Sequence, residues 1–189
     1  MDFGNAPILR TLPDGRTLIV IGQKDGHAWA LDPDRDGAIV WSSQVGLGID
    51  NGGGAIMWGS AADDRFGYFP VVRATQSLGL AAVHLADGAL AWRASPAESG
   101  AAPVTVIPGV VIFGSSAGTV FAYSTTDGKA LWHFETAREF ETVNGVPAQG
   151  GTINAAGPVV AAGMVFVPSG YSELGNGVRG NVLLAFGPI

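Results

Sequence analysis

Residues 122–132, AYSTTDGKALW, decide the fold. They read as a strand, a turn at Asp127-Gly128 and a second strand that ends in Trp132. An Asp-Gly pair flanked by alternating apolar and polar residues is the strongest short-range signal for a β-hairpin. The pattern occurs again upstream as AVHLADGALAW, residues 82–92, with Ala, Gly and Trp at the same first, seventh and eleventh places. A third copy, ALDPDRDGAIVW at residues 30–41, carries one extra residue in its turn. The three tryptophans, 41, 92 and 132, are separated by 51 and 40 residues. Self-similarity at roughly 40–50 residues is the mark of a β-propeller, with one four-stranded blade per repeat.

The pattern has a physical reason. A single blade is too small to bury both of its faces and must stack on the next. A tryptophan at the end of the outer strand can lie flat between blades. It carries roughly 150–250 Å² of surface, and at about 25 cal/mol per Å² it stabilises the blade contact by several kcal/mol at most. The alanine leaves room where an indole approaches, and the glycine supplies the positive φ of the turn.

Working outward, the strands group into four blades, at about residues 1–45, 54–95, 101–136 and 155–189. The first uses residues 7–9, the apolar run TLIVIG at Thr17–Gly22, the return His27–Asp32 after a turn at Lys24-Asp25-Gly26, and residues 38–43. TLIVIG reads as a central strand buried on both faces. The second blade is expected to begin with one strand over residues 55–60, and the third is the cleanest. The fourth has strands at residues 158–161, 164–168 and 181–186; Ala185 stands at the repeat's alanine, with no glycine or tryptophan after it. Residues 45–54, 95–102 and 136–151 read as connecting loops. The expected fold class is therefore all-β, a partial propeller of about four four-stranded blades in one domain. An open half-ring would expose two sheet edges. The missing half, or a second copy, would then be needed to close the ring.

Composition agrees. The chain has 189 residues, 47% hydrophobic and only 14% charged, enough for a large core. Its 29 glycines and 11 prolines are spread through the chain, as in a turn-rich all-β protein. A net charge of −6 counts against nucleic acid as a partner. The absence of cysteine excludes disulfides and thiolate metal sites. No apolar run is long enough for a transmembrane helix. The N-terminal MDFGNAPILR lacks the basic start and apolar core of a signal peptide, and Met1 leads almost directly into a strand, so the chain reads as a segment of something longer or as a gene start placed late.

The Ala…Gly…Trp repeat resembles the tryptophan-docking repeat of the pyrroloquinoline quinone (PQQ) dependent alcohol dehydrogenases, which are eight-bladed propellers. Asp2-Phe3-Gly4, followed by PILRTLPDGRTLIVIGQKDG at residues 7–26, resembles the blade that carries that family's catalytic carboxylate and a basic residue. GAIMWGSAADDRFGYFPVV, residues 54–72, resembles the next blade. Residues 152–181 are similar to the closing blade of the polyvinyl-alcohol-dehydrogenase branch. The likeness spans the whole chain and matches the C-terminal half of such an enzyme.

The resemblance implies oxidation of an alcohol, small or polymeric, by hydride transfer to the quinone. It implies PQQ and Ca²⁺ as cofactors, a cytochrome c or quinone as electron acceptor, and a periplasmic location. Asp2 stands at the family's base and beside its calcium ion. Lys24 stands where the family places an Arg or Lys against the quinone oxygens. A Glu and an Asn that complete the family's calcium site have no counterpart here. Trp58 lies outside the outer-strand repeat and is the candidate for a ring against a planar cofactor. Trp29 reads as packing. His27, His84 and His133 show no metal-ligand spacing, and residues 32–36, DPDRD, read as a hairpin turn. The rival reading is a non-catalytic scaffold of the same repeat that binds other proteins; a third is a coding fragment with no independent role.

Overall fold

The computed structural model describes residues 2–48, 53–74, 79–94, 102–172 and 177–187. Strand β1 (Ile8–Thr11), β2 (Thr17–Gly22), β3 (His27–Asp32) and β4 (Ala38–Gln44) form an antiparallel sheet in chain order. Residues Pro33–Arg35 make a 3₁₀ turn, capped by the Asp32 carboxylate, between β3 and β4. The second sheet runs β5 (Gly53–Ile56), β7 (Phe66–Ala74), β8 (Leu80–His84), β9 (Leu90–Ala94), with β6 (Ala61–Ala62) also paired to β7. The third is β10 (Thr105–Ile107), β11 (Val110–Gly114), β12 (Thr119–Ser124) and β13 (Ala130–Glu135). A small hairpin, β14 (Glu139–Phe140) with β15 (Ala148–Gln149), follows. The fourth sheet is β16 (Val159–Ala161), β17 (Met164–Ser169) and β18 (Val182–Phe186).

Three expectations are revised by these elements. The strand expected over residues 55–60 is split into β5 and β6, because Trp58 takes a positive φ of 73° that no strand can carry. The connection at 136–151 is not plain loop but holds the β14–β15 hairpin. In β2, Leu18 and Val20 are fully buried while Ile19 and Ile21 are only partly so. That strand buries one face well, since the first sheet packs against the second on one side only among the described residues.

The tryptophan repeat is a joint between sheets. Within each sheet the repeat's alanine lies directly across from its tryptophan: Ala30 from Trp41, Ala82 from Trp92, Ala122 from Trp132. Each pairing is followed at once by a register shift, which adds local twist. The indole then reaches the next sheet. Trp41 Nε1 donates to the Leu85 carbonyl at 2.8 Å, and Trp92 Nε1 to the Thr125 carbonyl at 3.0 Å. The ring of Trp41 covers Gly88, where a Cβ would lie 2.9 Å from two ring carbons. Trp92 covers Gly128 in the same way, at 2.6 Å. So the turn glycine also leaves room for the preceding sheet's indole, a role the turn alone does not reveal.

Three cores fill the spaces between successive sheets. Val20, Ala28 and Trp41 meet Ile56, Val71 and Val83; Tyr68 and Ala82 meet Val111 and Phe113; Ile112 and Val120 meet Ile153 and Val167. In such up-and-down sheets the turn from the second to the third strand and the link to the next sheet leave from the same end. The main chain joins them there: Val45 and Gly46 N–H groups donate to the Gly26 carbonyl, and Ile56 N–H to the Gln23 carbonyl. That end carries Lys24.

Candidate functional site

Lys24 sits in the β2–β3 turn, where Gly26 closes the loop through a bond from its N–H to the Gln23 carbonyl. The segment 2–5 runs alongside. The Lys24 N–H donates to the Asp2 carbonyl at 3.1 Å, and Gly4 forms a parallel bridge with Met57. Trp58 N–H in turn donates to the Gly4 carbonyl at 2.9 Å. A Cβ at Gly4 would lie 3.0 Å from Lys24 Cε and 3.3 Å from Met57 Cγ, so the segment passes these side chains closely. Asn5 fastens its far end. Its amide donates to Ser60 Oγ at 2.8 Å and its carbonyl oxygen accepts from Gly22 N–H at 3.3 Å.

The result gathers all three sequence-expected residues. Asp2 Oδ2 lies 2.9 Å from Lys24 Nζ. The lysine side chain is 26% exposed and the aspartate largely exposed. The hydrogen bond from Lys24, ahead of any other influence, holds the Asp2 carboxyl below the usual carboxylate range. Trp58 is half-buried, packs on Ala55 and Met57, and is hung from the same Gly4. Its left-handed backbone costs of order 1–3 kcal/mol, the kind of strain that collects where a side chain must be aimed.

Asn5, Gly4, Met57 and Ser60 complete the arrangement and escaped the sequence reading. Asn5 and Ser60 are 55 residues apart, and no local pattern links them. Asp25 adds a second acid on the same turn, with Oδ1 accepting from His27 N–H at 3.0 Å and Oδ2 3.2 Å from His27 Nδ1. The other candidates are structural. Trp29 Nε1 donates to Gln23 Oε1 at 3.2 Å. Asp63 accepts from the Arg65 and Phe66 N–H groups and from the Tyr68 hydroxyl. Asp32 binds Arg35 and caps its own turn, as a hairpin acid should. His84 packs on Phe66 and His133 faces Phe121.

A carboxylate held ionised, an ammonium beside it and a tryptophan hung from the adjoining Gly4 fit a planar, anionic quinone. The ammonium can meet a carboxylate or quinone oxygen, and the indole can cover a ring. Calcium fits less well. Among the described residues no three His, Cys, Asp or Glu side chains converge, and the Asp2 oxygen already faces an ammonium. Any such ion would take most of its ligands from elsewhere.

The family profile described as outer membrane protein assembly factor BamB, of the PQQ-repeat type, matches residues 75–183. The chain belongs to the PQQ-repeat propeller family. Among curated proteins, a polyvinylalcohol dehydrogenase of Pseudomonas sp. is 42% identical over 97% of this chain. The chain spans about a third of that relative's length, 32%. Two solved structures share the propeller fold at low identity. A quinohemoprotein alcohol dehydrogenase of Pseudomonas putida HK5 aligns over 90% of this chain and 29% of its own, with a TM-score of 0.66 and 17% identity. BamB of Moraxella catarrhalis aligns over 97% of this chain and 46% of its own, with a TM-score of 0.64 and 16% identity. The PQQ-repeat chain thus stands, by sequence, with the polyvinyl-alcohol-dehydrogenase branch.

Proposed function

We propose that this chain supplies one wall of the cofactor site of a PQQ-dependent dehydrogenase that oxidises hydroxyl groups on an alcohol, polymeric in the case of its relatives. The observation that carries the reading is the 2.9 Å contact of Asp2 with Lys24 beside a strained Trp58, all tied through Gly4. Asp2, kept ionised, accepts the substrate hydroxyl proton. Lys24 stays in reach of that oxygen and offers positive charge where negative charge develops on the acceptor. Trp58 gives a flat surface that orients a planar ring and excludes water from one side. When bound, PQQ supplies the two-electron acceptor. Electrons would then pass to a cytochrome c or quinone, in a periplasmic setting.

The test is a titration of the chain with PQQ, with and without Ca²⁺, followed by tryptophan emission and by dye-linked oxidation of polyvinyl alcohol. Lys24→Ala and Trp58→Phe should each weaken saturable quenching. Asp2→Asn should spare quenching and remove turnover. The pH sign follows from the lowered Asp2 pKa. The paired carboxylate stays ionised as pH falls below its unfolded value, about 3.9, and takes up its proton only at lower pH. Losing Lys24 should therefore move the acid limb of the rate upward. Quenching unchanged by both Lys24→Ala and Trp58→Phe would remove these residues from the site.

A second reading, a protein-binding scaffold, is favoured by the BamB profile and fold. It predicts no saturable PQQ quenching in the folded chain.

A further inference from the structure

We propose that the β14–β15 hairpin forms one wall of a groove that holds a stretch of neutral polyol chain, hydroxyl-bearing carbons alternating with methylenes, away from the Asp2–Lys24 pair; the choice of a polymeric alcohol rests on the function proposed above. The hairpin belongs to the link between the third and fourth sheets, and that link leaves from the same end as Lys24. Thr136 N–H donates to the Gly118 carbonyl and Ile153 N–H to the Ser115 carbonyl, as the Val45 and Ile56 N–H groups donate to the Gly26 and Gln23 carbonyls beside the first sheet. The base of the hairpin is fixed. Gln149 N–H donates to Asn181 Oδ1 at 2.9 Å, and Asn181 N–H donates to the Gln149 carbonyl at 2.8 Å. A Cβ at Gly180 would lie 2.1 Å from that same carbonyl oxygen, an approach that a side chain would block. The tip is closed as well: the Thr142 hydroxyl donates to the Val146 carbonyl, and Gly145 N–H to the Thr142 carbonyl at 3.0 Å. A wall held in this way has little freedom left to lose on binding.

The hairpin and Asn181 line an open cavity of about 800 Å³, within the size range of small-ligand sites. A second cavity, of about 430 Å³, shares Asn181 with it and reaches Tyr171 and Arg179, so the two adjoin and an elongated ligand can occupy both. The lining of the larger one is mixed in a particular way. Glu139 and Glu141 present carboxylates that make no hydrogen bond or ion pair among the described residues, while Phe140, Val146 and Pro147 add apolar surface. Among the described residues this lining includes no Lys, Arg or His; Arg138, next along the chain, lies over the faces of Phe134 and Phe140, at 5.1 and 4.6 Å. An ionised carboxylate can only accept hydrogen bonds. The groove therefore favours hydroxyl donors and repels an anion such as the quinone cofactor. A chain in which hydroxyls and methylenes recur, as in polyvinyl alcohol, satisfies the carboxylates and the apolar side chains together. Held on the face that carries Lys24, such a chain would stay at high local concentration near the reacting site.

The probe is a short oligomer of vinyl alcohol, titrated without PQQ into the full 189-residue chain and followed by isothermal calorimetry. The expected result is saturable binding that polyethylene glycol of equal length does not reproduce, since ether oxygens cannot donate to a carboxylate. Joint replacement Glu139→Ala and Glu141→Ala should weaken binding about tenfold or more. Both side chains are exposed, so this variant should melt as the parent does. Equal binding by parent and double variant, equal binding of the polyether, or no binding by a chain with an intact melt overturns the proposal. PQQ quenching, read separately on the same sample, keeps the groove and the cofactor wall apart. Quenching without polymer binding overturns the groove alone. Polymer binding that needs Glu139 and Glu141, in a folded chain that shows no quenching, upholds the groove and overturns the cofactor wall.

Discussion

Replacing Gly88 with alanine should unseat Trp41, and replacing Gly37 with alanine should not. Both glycines lie in turns between a third and a fourth strand, with φ of 78° and 73°. Each alanine variant therefore pays a similar left-handed penalty, about 1–2 kcal/mol. Their surroundings differ. A Cβ at Gly37 meets nothing within 4 Å, whereas at Gly88 it lies 2.9 Å from Cδ2 and Cε3 of Trp41. The indole must move, and overpacking of this kind costs about 1–3 kcal/mol. Displacement also strains the Trp41 bond to the Leu85 carbonyl, worth about 1 kcal/mol. Gly88→Ala should thus be destabilising by about 2–4 kcal/mol more than Gly37→Ala. Urea denaturation followed by circular dichroism gives both values, provided the m-values match. Tryptophan emission should shift to the red in the Gly88 variant alone. Equal costs, within about 0.5 kcal/mol, would refute the view that the turn glycine is a seat for the preceding sheet's indole.

Trp58→Gly should leave the melting temperature within about 5 °C of the parent, because relief of the positive-φ strain offsets lost packing; a much larger fall would assign the ring to the core. The same variant should lose PQQ quenching. Tyr68 is fully buried, and burial together with the Asp63 carboxylate raises its phenol far above the usual range. The native state then keeps a proton that the unfolded chain gives up above about pH 10. Stability should fall with rising pH there, by up to about 1.4 kcal/mol per pH unit, and Tyr68→Phe should remove that share of the slope. An unchanged slope would mean that Tyr68 ionises in the native state.

Much of the fold is local and was therefore legible in the chain. An Asp-Gly pair, alternation on either side and a tryptophan four residues on act within one hairpin, so residues 82–92 and 122–132 announce their sheets without help. Asp2 and Lys24 were picked out by likeness to a family and Trp58 for lying outside the repeat; Asp2 meets Lys24, and Trp58 hangs from the neighbouring Gly4. The rest depended on contacts between residues far apart in sequence. That Gly88 receives Trp41, 47 residues earlier, is a property of sheet stacking. No pattern within a hairpin encodes which tryptophan arrives. Asn5 reaches Ser60 only because the second sheet stands beside the first. The left-handed turn at Trp58, which splits an apolar run that reads as one strand, is imposed where Gly4 and Met57 are drawn together. The sequence by itself determined the hairpins, the repeat and the all-β class, because short-range sterics and alternation suffice for them. The glycine seats and the Asp2–Lys24 contact beside the Gly4–Trp58 bond were decided by the tertiary structure, because each joins residues far apart in sequence.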